Sequence, residues 1–284
     1  MSCQMAQVWG NLIPSVEFVQ TNCGIYFCQS VAAQDPNFKR PSDDTVLFLV
    51  FTFLIILLLA TVLVTYGIDS LGRYCEENQE GNSTGVYGLE IMRDMFKLLC
   101  LDRKLILLVP ITVWLGLQQA FMNADFTASY ISCAWGIRDV GYVMATYGIT
   151  NAFSSLAIRW LVKITGRVPA IVLAFLMHLG IFATLYLWHP NSSNRMMFFI
   201  VTIVWGLADA IWVVQIISLY GILCPGKEEA AFSNYDLWLS LGFIGGFTIS
   251  SMLCTDLKVY VMLGFLLVGM AAYIVLEWQR RLHK

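Results

Sequence analysis

The chain has 284 residues, of which 58% belong to the set AVILMFWYC and only 13% are charged, about half the charged share of an ordinary soluble domain. That composition excludes a conventional soluble globule. The formal net charge of −2 says little about partners, because opposite loop biases cancel in it, but the lack of any basic strip argues against a nucleic-acid partner.

In chain order, residues 5–19 are apolar but too short to span a bilayer, and Pro14 and Glu17 interrupt them. They read as a helix stub, and no basic stretch precedes them as a signal peptide would require. Residues 20–45 are a polar outer loop with Asp35-Pro36 and Arg40-Pro41 as turn signals. A charge-free stretch follows at 46–66. Residues 67–104, with Glu76, Glu77 and Glu80 and a Gly/Asn/Ser/Thr cluster, form a cytosolic linker whose part from Met92 to Leu101 is expected to be a short amphipathic helix on the membrane surface.

Six more such stretches run over 105–124, 140–158, 169–188, 197–222, 237–253 and 259–276. Together the seven contain one of the 36 charged residues, Asp209. A bilayer core about 30 Å thick takes roughly 20 apolar helical residues. The expected fold class is therefore an all-α polytopic membrane protein of seven spans, with the lipid bilayer as its solvent. Three parts follow: 1–66 with the stub, outer loop and first span, the linker at 67–104, and a six-helix bundle with a short tail at 105–284.

Loop charge sets the orientation. Arg73, Arg93, Lys97, Arg103, Lys104, Arg159, Lys163, Arg167, Lys227, Arg280, Arg281 and Lys284 fall on one side, and Lys39, Arg40, Arg138, Arg195 and Lys258 on the other. Twelve against five places the first side and the C-terminus in the cytosol. Cys23, Cys28, Cys133 and Cys254 then lie outside, where disulfides form, while Cys75, Cys100 and Cys224 lie inside. The outer set permits two bridges in three connectivities, or isolated thiols at helix ends. Local closure favours Cys23 with Cys28, leaving Cys133 with Cys254.

Ionisable groups at depth are costly and face a bundle interior. Asp209 sits mid-span in WGLADAIW with Trp205 four residues before and Trp212 three after. It is either a proton- or cation-responsive site or a structural carboxyl bonded to another helix; buried, it is expected to be neutral, and Asp209→Asn to preserve assembly. Thr112, Gly116, Gln119 and Asn123 form one polar stripe, and Tyr147, Asn151, Ser154 and Ser155 another. Either the stripes line a central cavity, with Gln119, Asn123, Tyr147, Asn151 and Asp209 as its wall, or they bond helices together. Gly242, Gly246 and Ser250 make a small-residue face for close packing, and His178 is a lone interior imidazole.

No enzyme chemistry emerges. Gly221 to Lys227 fits a phosphate-loop spacing, but Glu228 stands where a Ser or Thr would hold magnesium, and no strand precedes it. Cys23 and Cys28 lack a His-rich partner for zinc, and His178, His189 and His283 are too dispersed for a triad. No catalytic residue, metal site or cofactor is expected. Of two glycosylation patterns, Asn82 falls on the cytosolic side and Asn191 in a loop too close to the bilayer for use.

Several segments resemble a known family: QVWGNL from Gln7, GLQQAF from Gly116, SYISC from Ser129, GIRDVGYVM from Gly136, WGLADAIW from Trp205, SLYG from Ser218 and EEAAFSNYDLW from Glu228. They are similar to the uncoordinated-ninety-three family, an atypical branch of the major facilitator superfamily, and within it to the A-type. The resemblance runs from about Gln7 to Trp278. It implies a twelve-span protein of which this chain, N-terminally truncated, holds the outer part of the fifth helix, the sixth, and the six of the second half. It departs from the family pattern at Pro14 and Glu17.

The resemblance implies a non-catalytic regulator or trafficking partner of other integral membrane proteins, a potassium channel or a receptor, at the plasma membrane or in endosomes. The alternative is a major-facilitator solute carrier with a midplane site at Asp209. The facilitator loop signature is reduced to Thr165-Gly166-Arg167 after Arg159 and Lys163, which favours the regulator. With one six-helix half opposed by no second, the chain is not expected to transport a solute by itself.

Overall fold

The computed structural model describes residues 23–28, 43–67, 103–191 and 194–282. The stub at 5–19, the surface helix at 92–101 and Cys3, Cys75 and Cys100 fall outside them. The described residues divide into two units, the helix at 43–67 in one and the remainder in the other. Helix α1 (Asp43–Gly67) has 25 residues with no internal glycine or proline, and its apolar residues run all round it, as a helix immersed in lipid requires.

The second unit begins with a single turn, α2 (Arg103–Ile106), and α3 (Val109–Phe121), where Pro110 in the first turn lacks only an amide that would have had no partner. α3 runs on without a break into a π-helical stretch, Met122–Ser132. There the chain follows wider turns, with the amide of Cys133 donating back to Ala128. A loop was expected from residue 125. The wider helix instead carries Asp125, Phe126, Ser129 and Tyr130 into the protein interior.

α4 (Ile137–Thr165), α5 (Arg167–Leu187), α6 (Arg195–Leu223), α7 (Glu228–Met252) and α8 (Thr255–Leu282) complete the unit. Gly166 joins α4 to α5 at φ 86°, a left-handed conformation that side chains resist. The first turns of α7 occupy residues expected in a cytosolic loop, and the Gly226 amide donates to Glu228 Oε1 at 3.0 Å. That bond holds the Glu228 carboxyl below its usual range. Among the described residues four helical segments are long and apolar enough to cross a membrane: Lys104–Ser132, Arg167–Leu187, Arg195–Leu223 and Thr255–Leu282. α4 and α7, at 29 and 25 residues, have the length but a more polar sequence.

Two close helix crossings organise the packing. α3 lies against α7, and α4 against α6. On the first seam a Cβ at Gly242 would fall 2.2 Å from the Val113 carbonyl oxygen and 2.9 Å from Gly116 Cα, and one at Gly246 would fall 2.5 Å from Ala120 Cβ. Gly116, expected to face a cavity, is consumed by this contact. On the second seam a Cβ at Gly206 would meet the Tyr147 carbonyl oxygen at 3.0 Å, so α6 lies directly on the polar side of α4. Trp114, Trp205 and Trp212, all fully buried, fill the space between.

The segment Cys23–Cys28 is fastened to the bundle. Gly24 donates its amide to Ser129 at 2.8 Å, and Phe27 accepts from the Thr255 amide at 3.0 Å. The Thr255 hydroxyl reaches the same carbonyl at 3.0 Å and the Ser129 hydroxyl at 2.8 Å. Disulfides join Cys23 to Cys133 and Cys28 to Cys254. The local pairing of Cys23 with Cys28 is therefore corrected. Each cysteine of the segment faces a different helix end, and the two bridges clip it across both.

Candidate functional site

The site is built around Asp209, on the face of α6 that Gly206 brings against α4. Its carboxylate is fully buried and accepts from side chains of two other helices. Oδ1 receives the Gln118 amide and, at 3.3 Å, the Gln119 amide, both from α3. Oδ2 receives the Tyr147 hydroxyl at 2.9 Å and the Asn151 amide, both from α4. Trp205 donates its indole N–H to the Gln118 carbonyl oxygen, which fixes the orientation of that amide. Every partner is a neutral donor, so the carboxylate is held without a bound cation among the described residues.

A cavity of about 820 Å³ lies beside this hub, within the range of small-molecule sites. Gln119, Asn123, Tyr147 and Asn151 line it. Asp209 does not: expected at the wall, it sits behind the donors that cover it. On α4 the polar line continues past Asn151 through Ser155 to Arg159, and Arg167 lies on the same wall. Ser155 donates to the Asn151 carbonyl at 2.8 Å. α6 and α7 add the apolar side chains of Val213, Ile217 and Phe243 beside the polar ones of Gln215, Ser218 and Tyr235.

Trp212, the second expected flank of Asp209, instead packs edge-on against Trp114 at 5.4 Å. His178 is fully buried, with Nδ1 3.2 Å from the Ala174 carbonyl and its ring edge-on to Trp114 at 4.9 Å and Trp205 at 5.8 Å. Among the described residues no group of three His, Cys, Asp or Glu side chains is placed to hold a metal ion.

Two polar features escaped the sequence reading. Gln118 lies one residue off the stripe through Gln119, and only the doubled glutamine hinted that both faces carry amides. The other is a buried ion pair: Lys258 donates to Asp125 and to the Ser250 carbonyl, and the Ser250 hydroxyl donates to Asp125 at 2.8 Å. Lys258, counted with the outer-loop cations, is 4% exposed.

A helical bundle with membrane-length helices, a sealed carboxylate at its centre and disulfides at one end defines a polytopic membrane protein. Residues 18–274 match the family model described as "Ion channel regulatory protein UNC-93", and the chain belongs to the UNC-93 family. It is 35% identical to the zebrafish (Danio rerio) protein unc-93 homolog A over 99% of this chain, and 34% identical to the human homolog A over 96%. It spans 62% of the length of each. A more distant relative, the Caenorhabditis elegans "Putative potassium channel regulatory protein unc-93", is 27% identical over 98% of this chain and 41% of its own length.

Proposed function

We propose that the chain works as a non-catalytic regulator or trafficking partner of another integral membrane protein, of the kind that regulates a potassium channel. The observation that carries this reading is the family match over residues 18–274, together with the nematode relative named as a potassium channel regulatory protein. The geometry around Asp209 supports it against a carrier. A solute site at that carboxylate needs an open face, whereas here four donors close on it. A group so bonded serves to lock three helices together.

The membrane is the plasma membrane or an endosome, and the C-terminus faces the cytosol. With Lys258 drawn into an ion pair, the outer loops keep four basic residues against twelve, which supports that orientation. Co-expression with potassium channel subunits tests the function. The expected result is a channel subunit retained on the affinity-purified chain and a changed potassium current. Saturable solute uptake by reconstituted vesicles, with no effect on any channel, would replace this reading by the carrier.

A further inference from the structure

The 820 Å³ cavity has a charge pattern that the regulator reading does not use. Among the described residues its wall contains no acid, and the charged side chains on it are Arg159 and Arg167. Neither makes an ion pair with a described residue, and the neighbouring acid, Glu277, is engaged by Arg280 at 3.4 Å and Arg281 at 3.7 Å. Two guanidinium nitrogens of Arg167, Nε and one Nη, are enclosed without a hydrogen-bond partner. A buried donor left unmade is costly, and guanidinium groups match the oxygens of carboxylates and phosphates.

The rest of the cavity specifies what an anion brings with it. Asn151, Ser155 and Arg159 stand four residues apart on α4, so the polar wall runs about 12 Å from the Asp209 hub to the arginines at 1.5 Å per residue. Val213, Ile217 and Phe243 face it from α6 and α7. The cavity thus offers two guanidinium groups, a hydrogen-bonding line along α4, and apolar side chains of α6 and α7 set among Gln215, Ser218 and Tyr235.

We propose that the cavity is a binding site for an amphiphilic anion, whose carboxylate or phosphate is held by Arg159 and Arg167 and whose apolar body lies along Val213, Ile217 and Phe243. A free fatty acid and an anionic bilayer lipid share that chemistry. Binding at this site needs no partner protein, so it stands or falls separately from the regulatory role.

The test uses the 284-residue chain in phosphatidylcholine nanodiscs and a diazirine-bearing fatty acid, with the matching monoacylglycerol as its neutral counterpart. Adducts are mapped by mass spectrometry. The charged probe is expected to label α4 and α6 at the cavity, and the neutral probe not to. Arg159→Gln with Arg167→Gln should lower labelling roughly tenfold or more. Ser218→Trp, which fills the cavity and leaves both arginines in place, should lower it as well. Competition by oleate from the buffer assigns the site to a free amphiphile, and competition by phosphatidylserine in the disc assigns it to a bilayer lipid. Equal labelling by both probes, adducts elsewhere, or competition by neither lipid would overturn the proposal. If the double arginine variant fails to fold, the probe ratio and the tryptophan variant on a folded chain decide the question.

Discussion

Lys258 at the start of α8 donates to Asp125 in the π-helical stretch, and both side chains are buried, at 4% and 3% exposure. The same ammonium holds the Ser250 carbonyl at 2.9 Å, so the ends of three helical segments meet at one charge. Removing either partner strands the other charge in a dry site, at a cost of about 3–5 kcal/mol. Lys258→Met is expected to lose that much, and the double variant with Asp125→Leu to recover most of it. Thermal unfolding of the four members of the cycle in one detergent measures the coupling, and additive losses would refute it.

For Asp209→Asn, where the sequence reading expects assembly to be preserved, the hydrogen bonds of the hub predict a loss of stability. The replacement puts an NH2 where a carboxylate oxygen accepts two hydrogen bonds. Gln118 cannot turn to compensate, because Trp205 holds its carbonyl oxygen. One or two buried donors are left facing a donor, so stability is expected to fall by about 1–3 kcal/mol. A melting temperature equal to that of the unsubstituted chain would show that the hub adjusts freely.

Peptide mapping without reduction is expected to recover Cys23 linked to Cys133 and Cys28 to Cys254, and no Cys23–Cys28 peptide. Each bridge closes a loop of more than 100 residues, and Cys23→Ser should cost about 2–4 kcal/mol. Unchanged unfolding after complete reduction would deny the bridges any part in stability.

Two glycines provide a matched pair. Gly242→Ala drives a methyl group to 2.2 Å from the Val113 carbonyl oxygen, whereas a Cβ at Gly264 meets nothing within 4 Å. The first change pushes two backbones apart and is expected to cost at or above the usual 1–3 kcal/mol of overpacking. The second should be neutral or favourable by up to about 1 kcal/mol through helix propensity. Surface expression and melting temperature of the two variants check the contrast.

What the sequence made legible depended on periodicity. Asp209 stood out because nothing else in seven long stretches is charged, and Gln119, Tyr147 and Asn151 because they recur at helical spacing. Gln118 was hidden because a single-stripe reading assigns each helix one polar face, while α3 is buried on several sides and turns amides to more than one. Asp125 and Lys258 were hidden for another reason. Both lie just beyond charge-free windows, where a loop is assumed, and nothing local shows that the helix continues in wider turns. The disulfide partners depend on which helix ends meet in space, and sequence distance misleads there.

The two bridges of the segment Cys23–Cys28 have a consequence for cleavage. Their order along the chain is interleaved, Cys23, Cys28, Cys133, Cys254. A protease that cuts once between residues 28 and 133 produces two fragments held by both bonds, and a cut between 133 and 254 produces two held by one. A single nick anywhere between residues 23 and 254 therefore leaves a covalent two-chain molecule. It migrates as one band until a reductant is added, and neither piece of a chain cut in that range can leave for the membrane or the medium while the bonds last.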